Sequence, residues 1–374
     1  MQNVKLDWEE LRNAGRLAFE ERRFQECEQI WKSALDEAVK GGTDAEKATS
    51  HMDLSELYNG AGQYARAEPF IKSAIALREE KFGADDPVLA GCLIALAQNH
   101  GLQGQLGDCE HLYKSALQIY ETTKGADHPT VADSLQELAN YYSSVANFND
   151  CEALLLRALA IREKTSGPLS KEVASSLKTL ARIYRKQGRF NDADQYYLKT
   201  LDLKEQVLGK DHEEVAESLR SLANNYSYQG KYVEAEPLYK RSLEIYEKKE
   251  NPNHSEIATN LHNLAVLYYK MSRDTEAAML YRRALELFSS VLGTEHPEVA
   301  TTLLSMAKFY EERKKYDKAE TLSKLAVSIY EKNFGPEHPN VGIALRDLAQ
   351  IYEAQGRSME ADKLRQRSHN ILGK

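Results

Sequence analysis

Residues 284–300 read ALELFSSVLGTEHPEVA and residues 326–342 read AVSIYEKNFGPEHPNVG, so the same order of small, aromatic, glycine, histidine and proline positions returns after 42 residues. Laid along the whole chain of 374 residues, that register hardly slips from the second repeat to the end. One slot in each repeat holds Gly62, Gly104, Ala146, Gly188, Gly230, Ser272, Lys314 or Gly356, where a helix must stop and turn. Arg22 fills the slot in a divergent first repeat. Eight residues earlier stands a leucine (Leu54 to Leu348, with Met306 once), and four earlier a tyrosine (Tyr58 to Tyr352, with His100 once). That spacing keeps the two on one helical face. Five residues after the slot comes a small residue such as Ala67, Ala193 or Ala361, and seven later another, such as Ala74, Ala158 or Ser368. Small residues so spaced let two helices approach closely.

Each repeat therefore reads as helix, short turn, helix, then a linker in which glycine ends one helix and proline opens the next without wasting an amide donor. Nine helix pairs are expected, starting near residues 5, 43, 87, 129, 171, 213, 255, 297 and 339. They leave no room for a second domain: the expectation is one all-α superhelical array over residues 1–374, with a divergent first repeat at 5–40, regular repeats at 43–338 and a capping repeat at 339–374. No unit of this length buries its apolar face alone, so stability comes from stacking on neighbours.

Composition agrees. Apolar residues make up 42% and charged residues 28%, as in a soluble globular protein. Lys and Arg number 49 against 57 Asp and Glu, and the net charge of −8 repels polyanions, so nucleic acid is not expected as a partner. The start, MQNVKLDWEELRN, holds no apolar stretch of signal-peptide length, and nothing later approaches the roughly 18 apolar residues of a membrane span; a cytoplasmic protein is expected. Four cysteines make no disulfide framework.

The turn glycine, the aromatic and the small residues of each pair resemble tetratricopeptide repeats. The long second helix and its tail, seen at 284–300 and 326–342, are similar to the 42-residue variety of kinesin light chains and their bacterial relatives. That resemblance implies a right-handed superhelix that binds protein segments in a concave groove, lined by the first helix of each pair. Kinesin light chains join a motor heavy chain through an N-terminal heptad coiled coil. Here residues 1–40 already form a repeat around Trp8, Phe19, Phe24 and Trp31, so the motor heavy chain is not carried over as a partner.

Catalytic chemistry is not expected. Cys27, Cys109 and Cys151 occupy a slot that is alanine in the other repeats, where a thiol acts as a small packed hydrophobe. His128, His212, His254, His296 and His338 form a ladder of one per linker, which suits a contact closing each linker before the next helix and not a shared zinc ion. HEEVA at His212 lacks the second histidine of a zincin, and GLQGQLG at Gly101 lacks the lysine of a phosphate loop. No cofactor and no metal follow.

The groove face is not uniform. In the fifth unit Lys178, Arg182 and Arg185 recur beside the buried stripe with Lys186 next to them, four cations on one helix. The equivalent places hold Arg220, Asn224, Ser227 and Tyr228 in the sixth unit and His262, Val266, Tyr269 and Lys270 in the seventh. Upstream the face is neutral at Gln136, Asn140, Ser143 and Ser144; downstream Glu311, Glu312 and Glu353 make it acidic. Arginine grips carboxylates in bidentate fashion and amides hold an extended backbone, so an acidic peptide with an aromatic anchor is the expected ligand. The resemblance adds that kinesin light chains take acidic, tryptophan-containing cargo peptides in this groove. The other class of function that fits is a scaffold that self-associates or docks a folded partner through its terminal repeats or convex face.

Overall fold

The computed structural model describes residues 7–373, in which all the regular structure is helical. Two compact units divide the chain after Gln187. The first holds α1 (Trp8–Glu20), α2 (Phe24–Gly41), α3 (Asp44–Gly60), α4 (Tyr64–Phe82), α5 (Pro87–Leu102), α6 (Cys109–Lys124), α7 (Pro129–Ser144), α8 (Phe148–Ser166) and α9 (Lys171–Lys186). The second holds α10 (Phe190–Leu208), α11 (Glu213–Tyr228), α12 (Tyr232–Glu247), α13 (His254–Lys270), α14 (Asp274–Leu292), α15 (Pro297–Glu312), α16 (Tyr316–Phe334), α17 (Pro339–Ala354) and α18 (Ser358–Leu372). Within each unit, consecutive helices pack as antiparallel neighbours, and the eighteen described helices make an all-α solenoid of about nine helix–turn–helix repeats. The start expected at residue 5 lies outside the described residues.

The turn slot explains how each pair closes. It adopts the left-handed conformation even where it is not glycine: φ is +58° at Arg22 and Ala146, +59° at Ser272 and +60° at Lys314. The next amide then reaches back past the helix end, as Arg273 N does to Tyr268 O at 2.8 Å and Asn147 N to Tyr142 O at 2.8 Å. This satisfies a carbonyl that the last helical turn leaves free. At the other end the linker histidines act as helix caps. Nδ1 of His128, His212, His296 and His338 accepts from a backbone N–H two residues on, at 3.1 to 3.2 Å. His254 departs from the ladder: Asn253 caps α13, and His254 is already its first helical residue.

Repeat is tied to repeat by a polar latch. The tyrosine four residues before the turn slot donates its hydroxyl to a glutamate on the second helix of the preceding pair: Tyr58 to Glu28, Tyr142 to Glu110, Tyr184 to Glu152 and Tyr268 to Glu236, at 2.7 to 2.9 Å. A lysine one turn further along the same helix braces several of these carboxylates, as Lys114 braces Glu110 and Lys240 braces Glu236. The small-residue slots are fully buried, Cys27, Cys109 and Cys151 among them. Burial pushes the Cys27 thiol up to about 12 and that of Cys151 to about 11, which keeps both protonated and inert.

Candidate functional site

The ten residues expected to bind a peptide fall in both units. Lys178, Arg182, Arg185 and Lys186 stand on α9 in the first. Arg182 and Lys186 are exposed, Lys178 and Arg185 half-buried. Lys186 Nζ donates to Ser143 Oγ on α7 at 3.2 Å.

In the second unit, α11, α12 and α13 enclose a pocket of about 320 Å³. From α11 come Asn224, Ser227 and Tyr228; from α13, His262, Asn263, Val266 and Lys270; and α12 supplies Tyr232 and Tyr239. The pocket exists because the first helices of adjacent pairs present short polar side chains at these positions while the second helix sends its tyrosines up between them. Tyr239 is only 2% exposed, and its hydroxyl donates to Asn224 Oδ1 at 2.5 Å. That bond fixes the amide with its NH2 available to an acceptor. Tyr228 stands at the mouth, 71% exposed. His262 packs edge-on against Tyr281, ring centroids 5.9 Å apart, and its Nδ1 is buried without a hydrogen-bond partner. Burial pulls its pKa down to about 4, so it presents a neutral ring. Lys270 is the one cation lining the pocket; no carboxylate lines it. Aromatic walls, an oriented amide and a lone ammonium suit an aromatic side chain with a carboxylate near it.

Two of the expected residues do other work. The Arg220 guanidinium is bound to the carboxylate of Glu256 on α13, half-buried, so its charge is spent inside the protein. Tyr269, expected on the groove face, is buried at 6% exposure: Phe309 of α15 meets its ring edge-on at 6.0 Å, and its hydroxyl donates to Glu312. Arg313 then covers that ring, 4.9 Å from the centroid. Sequence reasoning missed Tyr232 and Tyr239 because they come from the second helix of the pair. It missed the latch glutamates too, although Glu28, Glu68, Glu110, Glu152, Glu236 and Glu320 recur six residues after the turn slot and were visible as a pattern.

The first unit repeats the pocket three repeats earlier in the register. Gln98, Gly101, Leu102, Leu106, Tyr113, Asn140 and Ser144 stand where the second unit has Asn224, Ser227, Tyr228, Tyr232, Tyr239, Val266 and Lys270. This pocket, between α5 and α7 over α6, is larger, about 560 Å³, and mostly apolar.

Stacked helix pairs with side chains converging between them define a helical-repeat protein of the kind that serves as a protein-interaction scaffold. Models of the tetratricopeptide repeat match residues 48–88, 89–164, 137–206, 172–248, 256–320 and 298–374. The chain belongs to the tetratricopeptide repeat family. Among solved structures it is similar to apo RapI (TM-score 0.63, 16% identity, 98% of each chain covered) and to the apo quorum sensor NprR of B. thuringiensis (TM-score 0.60, 14% identity, 97% of each). It is also similar to BtubC (BKLC) of P. vanneervenii, with TM-score 0.52 and 22% identity over 60% of this chain and 91% of that one. At these identities the likeness is one of fold, shared among several tetratricopeptide groups. A comparison with curated proteins found no match. Among the described residues no group of three or more His, Cys, Asp or Glu is arranged to hold a metal ion, and no helix is long and apolar enough to cross a membrane.

Proposed function

We propose that this chain is a non-catalytic docking module for an acidic protein segment that carries an aromatic residue, an adaptor in the manner of the kinesin light chains, working in the cytoplasm. The observation that carries this reading is the α11–α13 pocket, which brings Asn224, Tyr228, His262 and Lys270 together around an aromatic-walled cavity. In this reading the aromatic side chain enters between Tyr228 and Tyr239, the Asn224 amide holds the segment's backbone, and Lys270 takes a carboxylate. The α9 cations, Lys178, Arg182, Arg185 and Lys186, belong to the first unit and favour acidic residues there on their own account. Affinity in the micromolar range fits such a site.

The test is fluorescence anisotropy with a library of acidic peptides, each bearing one aromatic residue, at low and physiological ionic strength. Wild type is expected to bind. Tyr228→Ala and Lys270→Glu should each weaken binding by roughly tenfold, and added salt should weaken it too. Binding that ignores all three changes removes the pocket as the receptor.

A further inference from the structure

The apolar pocket of the first unit marks a departure from the repeat. In the other eight pairs the second helix begins two residues after the turn slot, at Phe24, Tyr64, Phe148, Phe190, Tyr232, Asp274, Tyr316 and Ser358. The equivalent of these is Leu106, yet α6 begins only at Cys109. Gly107 accounts for the lost turn: it stands where the other second helices have their second residue, and glycine is the poorest helix former after proline. The unwound turn is held from α7, whose Tyr141 hydroxyl donates to Leu106 O at 3.4 Å.

Where Tyr232 fills space in the second unit, the first unit has the smaller Leu106, and where Tyr228 stands it has Leu102. These leucines are 38% and 57% exposed. Gly101 widens the mouth, since a Cβ added there would meet nothing within 4 Å. The floor is the ring of Tyr113. Exposed leucines around a cavity are an unfilled apolar contact. Charge lies to one side: the rim residue Ser144 follows Ser143, whose hydroxyl holds Lys186 Nζ, and Arg182 is exposed on the same helix as Lys186.

We propose that the α5–α7 pocket is a second docking site, which takes a large aliphatic side chain from a partner segment with a carboxylate beside it. The side chain lies between Leu102 and Leu106 over Tyr113, and the carboxylate meets Lys186. Aliphatic chemistry is favoured by the two leucines that face each other across the mouth and by a lining without ammonium or imidazole, in which the Gln98 amide is given to Glu137, the Tyr141 hydroxyl to Leu106 O, and Asn140 Oδ1 accepts from Gln136. The proposal rests on the reading of the chain as a binder of acidic segments and shares Lys186 with it, but the lining of its pocket is separate from that of the α11–α13 pocket.

The experiment uses two fluorescein-labelled probe peptides, one with a single leucine among aspartates and one with tryptophan in its place, titrated into the full chain labelled at leucine methyl groups. The leucine probe is expected to shift the methyl signals of Leu102 and Leu106. Its dissociation constant should rise roughly tenfold in Gly101→Phe, whose Cβ meets nothing within 4 Å and whose ring takes up the cavity, and similarly in Lys186→Glu, while tryptophan-probe binding lost in Tyr228→Ala survives Gly101→Phe. A leucine probe that leaves these methyls unmoved at millimolar concentration, or that binds Gly101→Phe as it binds wild type, overturns the proposal. So does a shift of the same methyls with protein concentration alone that Gly101→Phe removes, because the occupant is then a second copy of this chain. Loss of tryptophan-probe binding while the leucine probe still binds sinks the α11–α13 reading and leaves this one standing.

Discussion

The α5–α7 and α11–α13 regions share one backbone plan three repeats apart, yet they differ in what sits on it. In the second unit tyrosine occupies both places flanking the turn, and Asn224 is bound to the floor tyrosine, Tyr239. In the first unit leucines take those places, and Gln98, in the place of Asn224, is drawn away to Glu137. The latches differ in the same direction. Glu236 accepts from Lys240, Tyr268 and Arg273, whereas Glu110 accepts from Lys114 and Tyr142. Asn147 stands where the second unit has Arg273 and turns to its own helix, donating to Asp150. The comparison teaches that the repeat's buried residues fix where a pocket falls, while a few positions around the turn decide how large, how polar and how tightly clamped it is.

Truncating the two floor tyrosines tests whether the backbone plan is shared energetically. Tyr239 and Tyr113 are 2% and 6% exposed, so Tyr239→Ala and Tyr113→Ala should each cost about 3 to 5 kcal/mol in urea unfolding. The conservative change separates them: Tyr239→Phe, which strips the bond to Asn224, should cost about 1 kcal/mol. Tyr113→Phe should lie within ~0.5 kcal/mol of wild type. Equal costs for the two phenylalanine variants would remove the polar distinction between the pockets.

Acid should open the second unit's latch later than the first's. Burial alone would raise the Glu236 carboxyl, but hydrogen bonds from Lys240, Arg273 and Tyr268 outweigh it and hold the pKa down at about 2. A depressed carboxyl stabilises the fold fully above its unfolded value of 4.5, and that contribution fades as pH falls toward about 2. Removing it should cost about 1 to 2 kcal/mol, the full effect of the shift being reduced by solvent around the exposed Lys240. Glu110 is also depressed, mainly by Lys114 and then Tyr142, but its side chain is 44% exposed against 18% for Glu236. Hydrogen exchange measured from pH 5 to pH 2.5 should therefore show α7 losing protection before α13, and Glu236→Gln should flatten the response of α13. Simultaneous loss in wild type would contradict the difference in latch strength.

Much of this was legible in the sequence, for a physical reason. The turn slot, the Leu–Tyr stripe and the paired small residues are set within one repeat, by helix geometry and close packing, and every repeat restates them. Asn224, Tyr228, His262 and Lys270, expected on the groove face, line one pocket because a helix face can be read at fixed spacing. What escaped depends on contacts between helices. Arg220 looks like a groove cation until Glu256 is seen to reach it from α13, and Tyr269 looks like groove surface until Phe309 and Arg313 close over it. Gly107 lay within a quoted glycine-rich stretch, but its effect shows only when α6 is found to start a turn late.

The smallest expected effect bears on the turns that both regions depend on. Gly104 and Gly230 close the two compared pairs with φ of +75°, where glycine carries no Cβ penalty. The repeats that follow them use Ala146 and Ser272 in the same left-handed conformation. An L-residue with a Cβ is strained there by roughly 1 kcal/mol, because its Cβ crowds the following carbonyl. Glycine's greater freedom in the unfolded chain offsets part of the gain. Ala146→Gly and Ser272→Gly should each raise stability by about 0.5 kcal/mol, read as a small upward shift in the urea midpoint at constant slope. The converse, Gly104→Ala and Gly230→Ala, should lower it by about 0.5 kcal/mol. Because Gly104 also borders the α5–α7 pocket, Gly104→Ala further separates the turn's stability from the pocket's binding. The leucine probe should bind this variant as it binds wild type, since a Cβ at Gly104 meets nothing within 4 Å.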